Sequence, residues 1–328
     1  MWLIYALGGG WGHLTRATAL ARATATDTRV RIVSNSPYAR IAAASLPGLE
    51  ITILDADAPA EQTRAAVLAQ IAEARPTCLI VDTFPRGIGG ELAGPLGKLD
   101  ARKVLVHRDL NPRYVESAHL REFVASQYDL VVVPGAGEGS EFGDLPGAVV
   151  TEPWLVRSPG ELPDRTQARQ ILDLATGEET CVLVCVSGKP GEREWYEAAA
   201  AEVRALAPGL AVRSIASDRG VRYWPAMDLY GCAGVVIGGA GYNTVEECLA
   251  WRVPLVARAW RRTYDRQEER ARRASSRGTV VLVTEPEEAA RAAVRHMRAG
   301  SVETPEFPNG ARQAAAIIAG LVRVTPDS

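Results

Sequence analysis

A histidine follows a glycine-rich turn near the start of the chain. The segment Gly8–His13 comes directly after an apolar run and opens a helical pattern. Glycines let the backbone approach a ligand closely, and the N–H groups at the start of a helix attract anions. Imidazole titrates near neutral pH and is therefore suited to general base catalysis. The turn predicts an anion site at Gly10 and Gly12 with His13 as a candidate catalytic base. The alternative is an ordinary tight connection between a strand and a helix.

This turn differs from two common phosphate-binding motifs. The dinucleotide fingerprint G-x-G-x-x-G, started at Gly8, needs a third glycine where His13 stands. No acidic residue follows at the usual distance either. A Walker loop would end in Gly-Lys followed by Ser or Thr, and this turn does not.

Two carboxylates are further candidates for the base. Asp82 and Asp109 each follow a predicted strand, and ligands bind beyond the carboxyl ends of parallel strands. Either one could take the proton itself or orient the acceptor. His107 ends a strand, so we expect it to be packed in the interior. The pair at positions 55 and 57 spells Asp-Ala-Asp, but we expect an exposed loop there and predict no bound metal.

A second glycine turn follows an apolar strand in the second half of the chain. It consists of Ser187, Gly188 and Lys189. Its backbone amides could hold a diphosphate, with Ser187 or Lys189 assisting. The alternative is a solvated turn with an incidental lysine.

A third turn runs from an apolar strand into a helix over residues 235–247. Amides from Ala240 to Thr244 would form an anion site at a helix start. A carboxylate at Glu247 could accept hydrogen bonds from a ribose diol. The alternative is that Thr244 and Glu247 form a capping box, which needs no ligand. The candidate binding residues of this turn are Gly239, Gly241, Asn243, Thr244 and Glu247.

Two neighbouring segments complete the candidate binding residues. Trp224 and Met227 are predicted to form a wall for a nucleotide base, or else a hydrophobic core cluster. Asp265 is predicted as a helix N-cap, with Gln267 in the first turn, and both could face sugar hydroxyls. The alternative is N-capping by Asp265 in front of a solvated, charged helix.

Short apolar strands alternate with amphipathic helices along the whole chain. Near-continuous apolar strands separated by helices indicate parallel sheets that are buried on both faces. We predict two doubly wound, Rossmann-like α/β domains that face a central cleft. The expected boundaries are 1–152 for the first domain, 153–165 for a linker, 166–310 for the second domain and 311–328 for a C-terminal helix and tail. That last segment could pack back on the first domain.

Composition excludes several classes of protein. The chain has 328 residues, a formal net charge of −2 and 23% charged residues, so no nucleic-acid partner is expected. Its apolar runs are too short for a membrane span. The five cysteines form no CxxC pair, which favours reduced, buried thiols in a cytoplasmic protein.

The motifs together resemble the GT-B glycosyltransferases. The stretch Gly-Gly-Trp-Gly-His13-Leu-Thr-Arg16 is similar to the G-x-G-H turn of that group, and 238–270 is similar to the donor-site signature of MurG-like transferases. The residues Val81–Pro85 and Arg108-Asp109 resemble a set of predicted bacterial glycosyltransferases. The resemblance is strongest over about residues 223–271.

The resemblance implies transfer of a sugar from a nucleoside diphosphate, UDP or dTDP, with inversion and without a tightly bound metal or other cofactor. Glu247 would hold the ribose, Thr244 and Gly241 would meet the diphosphate, and Asp265 and Gln267 would read the sugar. The acceptor would be a small or lipid-linked molecule, the latter with peripheral membrane contact. A nucleotide-sugar hydrolase, a 2-epimerase of the same fold and a non-catalytic nucleotide-sugar-binding subunit remain alternatives.

Overall fold

The computed structural model describes residues 1–135, 140–216, 220–298 and 305–323. The chain divides into two compact units. The first comprises Met1–Val156, Thr263–Asp265 and Pro308–Ser328, and the second comprises Arg157–Arg262 and Arg266–Phe307.

The first unit is a seven-stranded parallel sheet with helices between the strands. Its elements are β1 Trp2–Tyr5, α1 Trp11–Ala23, β2 Val30–Ser34, α2 Ala39–Ser45, β3 Glu50–Ile53, α3 Ala60–Ala74, β4 Cys78–Asp82, β5 Arg102–Val106, α4 Pro112–Ser117, α5 Leu120–Gln127, β6 Leu130–Pro134, β7 Ala148–Thr151 and α11 Gly310–Arg323. The strand order is β3-β2-β1-β4-β5-β6-β7. The order reverses between β1 and β4, and such a switch point is where ligands bind in open α/β sheets.

The second unit is a five-stranded parallel sheet. Its elements are α6 Arg165–Ile171, β8 Cys181–Cys185, α7 Pro190–Leu206, β9 Val212–Ile215, β10 Ala233–Gly239, α8 Tyr242–Ala250, β11 Leu255–Arg258, α9 Gln267–Ala274, β12 Val280–Val283 and α10 Pro286–His296. The strand order is β12-β11-β10-β8-β9. The order in which the strands follow one another reverses between β8 and β10, which is the switch point of this sheet. The second unit also contains two short 3-10 helices, Pro159–Glu161 and Ala226–Cys232, and the first unit contains one, Leu96–Lys98.

Apolar strands form the core of each unit because both faces of a parallel sheet are covered by helices. In the first unit, Leu79, Val81 and Leu105 are almost fully buried. In the second unit, Val182 and Ile237 are fully buried. The predicted fold class, two doubly wound α/β sheets, is confirmed. Each described strand was predicted except β7, a short strand at the sheet edge with Val150 exposed.

The five cysteines are all free thiols, and four of them are buried. Burial raises the pKa of Cys181 to about 12 and that of Cys78 likewise to about 12. A thiol with so high a pKa stays protonated near neutral pH, so these two behave as small apolar core residues.

Candidate active site

The first glycine turn lies at the switch point of the first sheet. It links β1 to α1, which begins at Trp11 with Gly10 as its N-cap. The Gly8 amide donates to Asn35 Oδ1 at 2.8 Å and so anchors the turn to the end of β2. The imidazole of His13 lies directly over Gly8, in the space that a Cβ would need. Glycine is therefore required at this position by contact as well as by its φ of +154°.

His13 is bonded to Asp82 across the switch point. Its Nδ1 lies 2.6 Å from Asp82 Oδ2, and Asp82 is the last residue of β4, the strand that pairs with β1. The side chain of His13 is 14% exposed, whereas that of Asp82 is 2% exposed. Among the residues that the structure describes, none bonds the other ring nitrogen, Nε2. A histidine that donates Nδ1–H to a carboxylate presents Nε2 as a proton acceptor.

A third residue, Arg16, completes this cluster. It lies one turn along α1 from His13, is 1% exposed, and donates to Asp82 Oδ1 at 2.9 Å and to Oδ2 at 2.6 Å. It also donates to the Thr83 hydroxyl at 3.1 Å. Thr83 has a φ of +72°, which costs a β-branched residue about 1–3 kcal/mol. Strain of this size at the end of β4 is typical of a functional site.

The pKa values of His13 and Asp82 both lie below their ordinary values. Burial alone would raise the pKa of Asp82, but the Arg16 charge and the bond to His13 outweigh it, and the net pKa lies well below the ordinary value. Burial lowers the pKa of His13 and outweighs the opposing effect of Asp82. Near neutral pH the pair is therefore a carboxylate and a neutral imidazole, the states that a general base requires.

The loop after β4 is held by a buried polar pair. Tyr5 donates to Glu91 Oε1 at 2.5 Å, and the Tyr5 hydroxyl accepts from the Ile88 amide at 2.8 Å. Glu91 is 1% exposed and also accepts from the Gly89 amide. Phe84, at the start of this loop, stacks on the His13 ring at 5.5 Å between centroids. These bonds hold the loop beside the imidazole in one conformation. The sequence analysis did not predict this role for Tyr5 and Glu91.

Within the described part of the chain, neither Asp109 nor His107 is bonded to His13. His107 is fully buried against Phe142, with Glu141 3.3 Å from its Nε2, so the predicted packing is confirmed. Burial lowers its pKa despite Glu141. Asp109 is half-buried just beyond β5. Of the two candidate carboxylates, only Asp82 contacts His13.

Asp265 is held by an arginine of the same unit instead of capping a helix. Its Oδ1 accepts from Arg108 at 3.2 Å, and the two side chains are 12% and 13% exposed. Its backbone forms an isolated bridge with Leu110. The helix that follows begins at Gln267 with Arg266 as the N-cap, so the predicted N-cap role of Asp265 is wrong. The ion pair forms between positions 157 residues apart, which no local pattern indicates.

The third glycine turn lies at the switch point of the second sheet. The helix α8 begins at Tyr242 with Gly241 as the N-cap, so Thr244 is inside the helix and cannot form the capping box that we considered. Ala240 donates its amide to the Arg258 carbonyl and is not part of an anion site. The amides of Tyr242 to Thr244 lie in the first turn of α8, at the end of the helix where the dipole favours an anion. Asn243 and Thr244 are half-buried there.

Glu247 is a buried carboxylate one turn into α8. It is 7% exposed, and the Tyr230 hydroxyl, at 3.4 Å, is its hydrogen-bond partner among the described residues. Burial raises its pKa to about 8. Desolvation of a buried carboxylate costs folding free energy, as is common at binding sites.

The second glycine turn is occupied by a side chain of its own unit. Lys189 is the N-cap of α7, and Glu192 reaches back over the turn into the space beside Gly188, whose φ is +96°. Both Glu192 oxygens accept from Arg262, at 2.5 and 2.6 Å. A carboxylate thus already lies where the sequence predicted a phosphate. Ser187 is half-buried beside it.

The remaining predicted residues differ in what they present. Met227 is fully buried and Trp224 is 7% exposed, so their side chains belong mainly to the core. Gln267 Oε1 accepts from the Trp260 amide at 2.9 Å. The Trp260 indole donates to the Tyr196 hydroxyl, which lies over Gly239. Gln267 and Gly239 are therefore linked through one aromatic cluster.

The described ranges contain neither a metal-binding cluster nor a membrane-spanning helix. There, no group of three or more His, Cys, Asp or Glu residues is placed to share a metal ion. None of the helices described combines the length and apolar character that a membrane span needs.

The fold is shared with several solved structures. No protein-family model matches the chain, and no curated protein matches it at a significant level. A structure of S. aureus MnaA with UDP is similar over 100% of this chain and 98% of its own, at 14% identity and a TM-score of 0.63. A UDP-glucosyltransferase from Polygonum tinctorium is similar over 99% of this chain and 99% of its own, at 14% identity and a TM-score of 0.61. The Streptomyces sp. SF2575 glycosyltransferase SsfS6, complexed with thymidine diphosphate, is similar over 97% of this chain and 99% of its own, at 16% identity and a TM-score of 0.59. At these identities the similarity shows the fold, which is the GT-B fold.

Proposed function

We propose that this protein is a glycosyltransferase that moves a sugar from a nucleoside diphosphate to an acceptor hydroxyl, with His13 as the general base. The observation that carries the proposal is the contact between His13 Nδ1 and Asp82, which leaves Nε2 as the acceptor. The first unit would bind the acceptor, and the second unit would bind the donor.

The reaction would proceed as a single displacement with inversion at the anomeric carbon. The acceptor O–H gives its proton to His13 Nε2 while its oxygen forms a bond to the anomeric carbon. The bond from that carbon to the diphosphate oxygen breaks, and the nucleoside diphosphate leaves with the electron pair. Asp82 holds the imidazole in the reactive tautomer and stabilises the imidazolium that forms.

Helix amides would stabilise the negative charge that develops on the diphosphate. The first-turn amides of α8, at Tyr242 to Thr244, are fixed by the helix and need no reorganisation during the reaction. Glu247 is proposed to accept the ribose hydroxyls. This arrangement needs no tightly bound metal. UDP in the MnaA structure and thymidine diphosphate in the SsfS6 structure support these two nucleotides as the first donors to test.

A panel of nucleotides tests the donor half of the proposal. Thermal unfolding would be followed with UDP, dTDP, GDP and ADP, and with their common sugar conjugates. A ligand at about 100 times its dissociation constant should stabilise the protein by ~2.7 kcal/mol. A panel in which no nucleotide raises the melting temperature would refute the proposal.

Product analysis tests the transfer half. Release of nucleoside diphosphate would be measured with the donor that binds, first alone and then with phenolic and sugar-hydroxyl acceptors. A transferase should release nucleotide faster with an acceptor and form a glycoside of inverted configuration. Free sugar at the same rate without any acceptor would favour a hydrolase, interconversion of two sugars an epimerase, and binding without turnover a non-catalytic subunit.

A further inference from the structure

Arg16 shares one carboxylate oxygen with His13. Asp82 Oδ2 lies 2.6 Å from His13 Nδ1 and 2.6 Å from the Arg16 guanidinium, which also takes Oδ1 at 2.9 Å. The guanidinium is 3.5 Å from His13 Nδ1 itself. The charge of Asp82 is therefore divided between a fixed cation and the imidazole.

We propose that Arg16 is a positioning residue that sets the pH range of the His13 base, by holding Asp82 as a carboxylate whose charge is already largely balanced. This inference rests on the proposed function, because it concerns how the same base is controlled. Thr83 takes part, since its hydroxyl accepts from the guanidinium and its strained backbone brings that hydroxyl to the cluster.

The physical argument follows from burial. Asp82 is 2% exposed, and a carboxylate so placed must be compensated or it takes up a proton. Without Arg16, the proton would go to Asp82 or the full carboxylate charge would favour an imidazolium at His13. In both cases the pair takes up a proton at higher pH, and Nε2 of His13 then carries a proton near pH 7 and cannot accept one from the acceptor.

Other charged groups around His13 act in known directions. Arg108, which follows β5, adds to the effect of Arg16 in disfavouring the imidazolium, and Asp82 opposes both. Arg108 is paired with Asp265, whereas Arg16 contacts the dyad directly. A change at Arg16 should therefore dominate the response of the imidazole.

The test is the titration of His13 in Arg16→Met. The imidazole would be followed by NMR, with assignment from His13→Ala among the four histidines of the chain. Loss of a cation in direct contact should raise the pKa by about one to three units. The acidic limb of kcat/KM against pH should move upward by the same amount, because that limb reports the base in the free enzyme. Arg16→Lys, which keeps the charge, should restore most of the wild-type profile.

Arg22→Gln is the matched control. Arg22 lies on the same helix and bonds the Val156 carbonyl at 3.0 Å, away from Asp82, so its loss should leave the titration of His13 unchanged. A folded Arg16→Met protein with an unchanged His13 titration and acidic limb would overturn the proposal, since Arg16 would then only hold α1 to β4.

A milder pair of variants decides the matter if Arg16→Met does not fold. Thr83→Val removes the hydroxyl that orients the guanidinium, and Thr83→Ser keeps it. The expected result is a smaller upward shift in Thr83→Val and none in Thr83→Ser, and no shift in either would overturn the proposal. The NMR titration needs no turnover. If His13→Ala remains active, the base assignment fails, while the titration still reports whether Arg16 controls the imidazole.

Discussion

His13 and Asp82 are 69 residues apart in the chain and 2.6 Å apart in the structure. They meet because β1 and β4 are neighbours at the switch point of the first sheet, although β2 and β3 intervene in sequence. The first turn of α1, which follows β1, carries the imidazole, and the last residue of β4 carries the carboxylate.

The first prediction concerns this pair. His13→Ala should lower kcat by about 10²–10⁴-fold because the acceptor loses its base. Asp82→Asn keeps the volume but removes the charge that fixes the tautomer, so it should also lower kcat strongly while nucleotide binding is retained. Steady-state kinetics with the identified donor and calorimetric titration with nucleotide give the two readouts. His119→Asn is the control, and wild-type turnover in His13→Ala would exclude His13 as the base.

The second prediction separates two adjacent glycines. A Cβ at Gly8 would collide with the His13 ring, whereas one at Gly9 would meet open space. Gly8→Ala should displace the imidazole and reduce kcat by about 10²-fold, the usual effect of misplacing a catalytic group by 1 Å. Gly9→Ala should stay close to wild type. Equal rates in the two variants would show that the contact between Gly8 and the imidazole has no role in positioning it.

The third prediction is a pH dependence of nucleotide binding through Glu247. Burial raises its pKa to about 8 in the free protein, and ribose hydroxyls that donate to the carboxylate would lower that pKa in the complex. Binding should then release a proton and tighten by up to about tenfold per pH unit as the pH rises toward 8. Above pH 8 the affinity should level off.

Calorimetry in buffers of different ionisation enthalpy measures this proton directly. Glu247→Gln should bind more weakly and lose the pH dependence between pH 6 and 8. If nucleotide affinity in the wild type does not change over that range, Glu247 does not meet the ribose as a carboxylate.

The fourth prediction concerns stability of the second unit. Gly188 has a φ of +96°, and its Cα faces the Glu192 carboxylate at a distance that leaves no room for a methyl group. Gly188→Ala should lower the free energy of unfolding by about 1–3 kcal/mol. Gly191→Ala, in the first turn of α7 with open space around it, should be neutral or stabilise by up to about 1 kcal/mol. Chemical denaturation measures both, and equal stabilities would mean that neither the Glu192 contact nor the positive φ of Gly188 constrains this position.

The sequence predicted the strands well because they are short apolar runs, such as Cys78–Asp82, bounded by turn residues. Helix starts were less well predicted. Asp265 has the type of an N-cap, but Arg108 takes its carboxylate and the helix begins two residues later. Thr244 likewise lies inside its helix, because α8 begins at Tyr242 with Gly241 as the N-cap. Local patterns cannot weigh a local cap against a long-range partner.

The candidate site was partly predictable for the same reason. The glycine turn and its histidine are adjacent in sequence, and the position of Arg16 three residues later places it on the same helix face. Asp82 was a candidate because it ends a strand. Its two carboxylate oxygens face Arg16 because β4 lies beside β1 in the sheet, and the sequence alone did not predict that strand order. The carboxylate of Glu192 over Gly188 was missed, although its position three residues after Lys189 is that of a capping box.

The packing of α11 against α1 means that the half of the molecule containing His13 is assembled from segments far apart in the sequence, Met1–Val156 and the stretch that begins at Pro308. A fragment that stopped after β7 would leave the side of α1 that α11 covers bare to water, and such a fragment should aggregate when expressed alone. A circular permutant that joins the segment from Pro308 to Met1 by a flexible tether would supply the missing cover. We expect this permutant to aggregate less than the fragment that stops after β7.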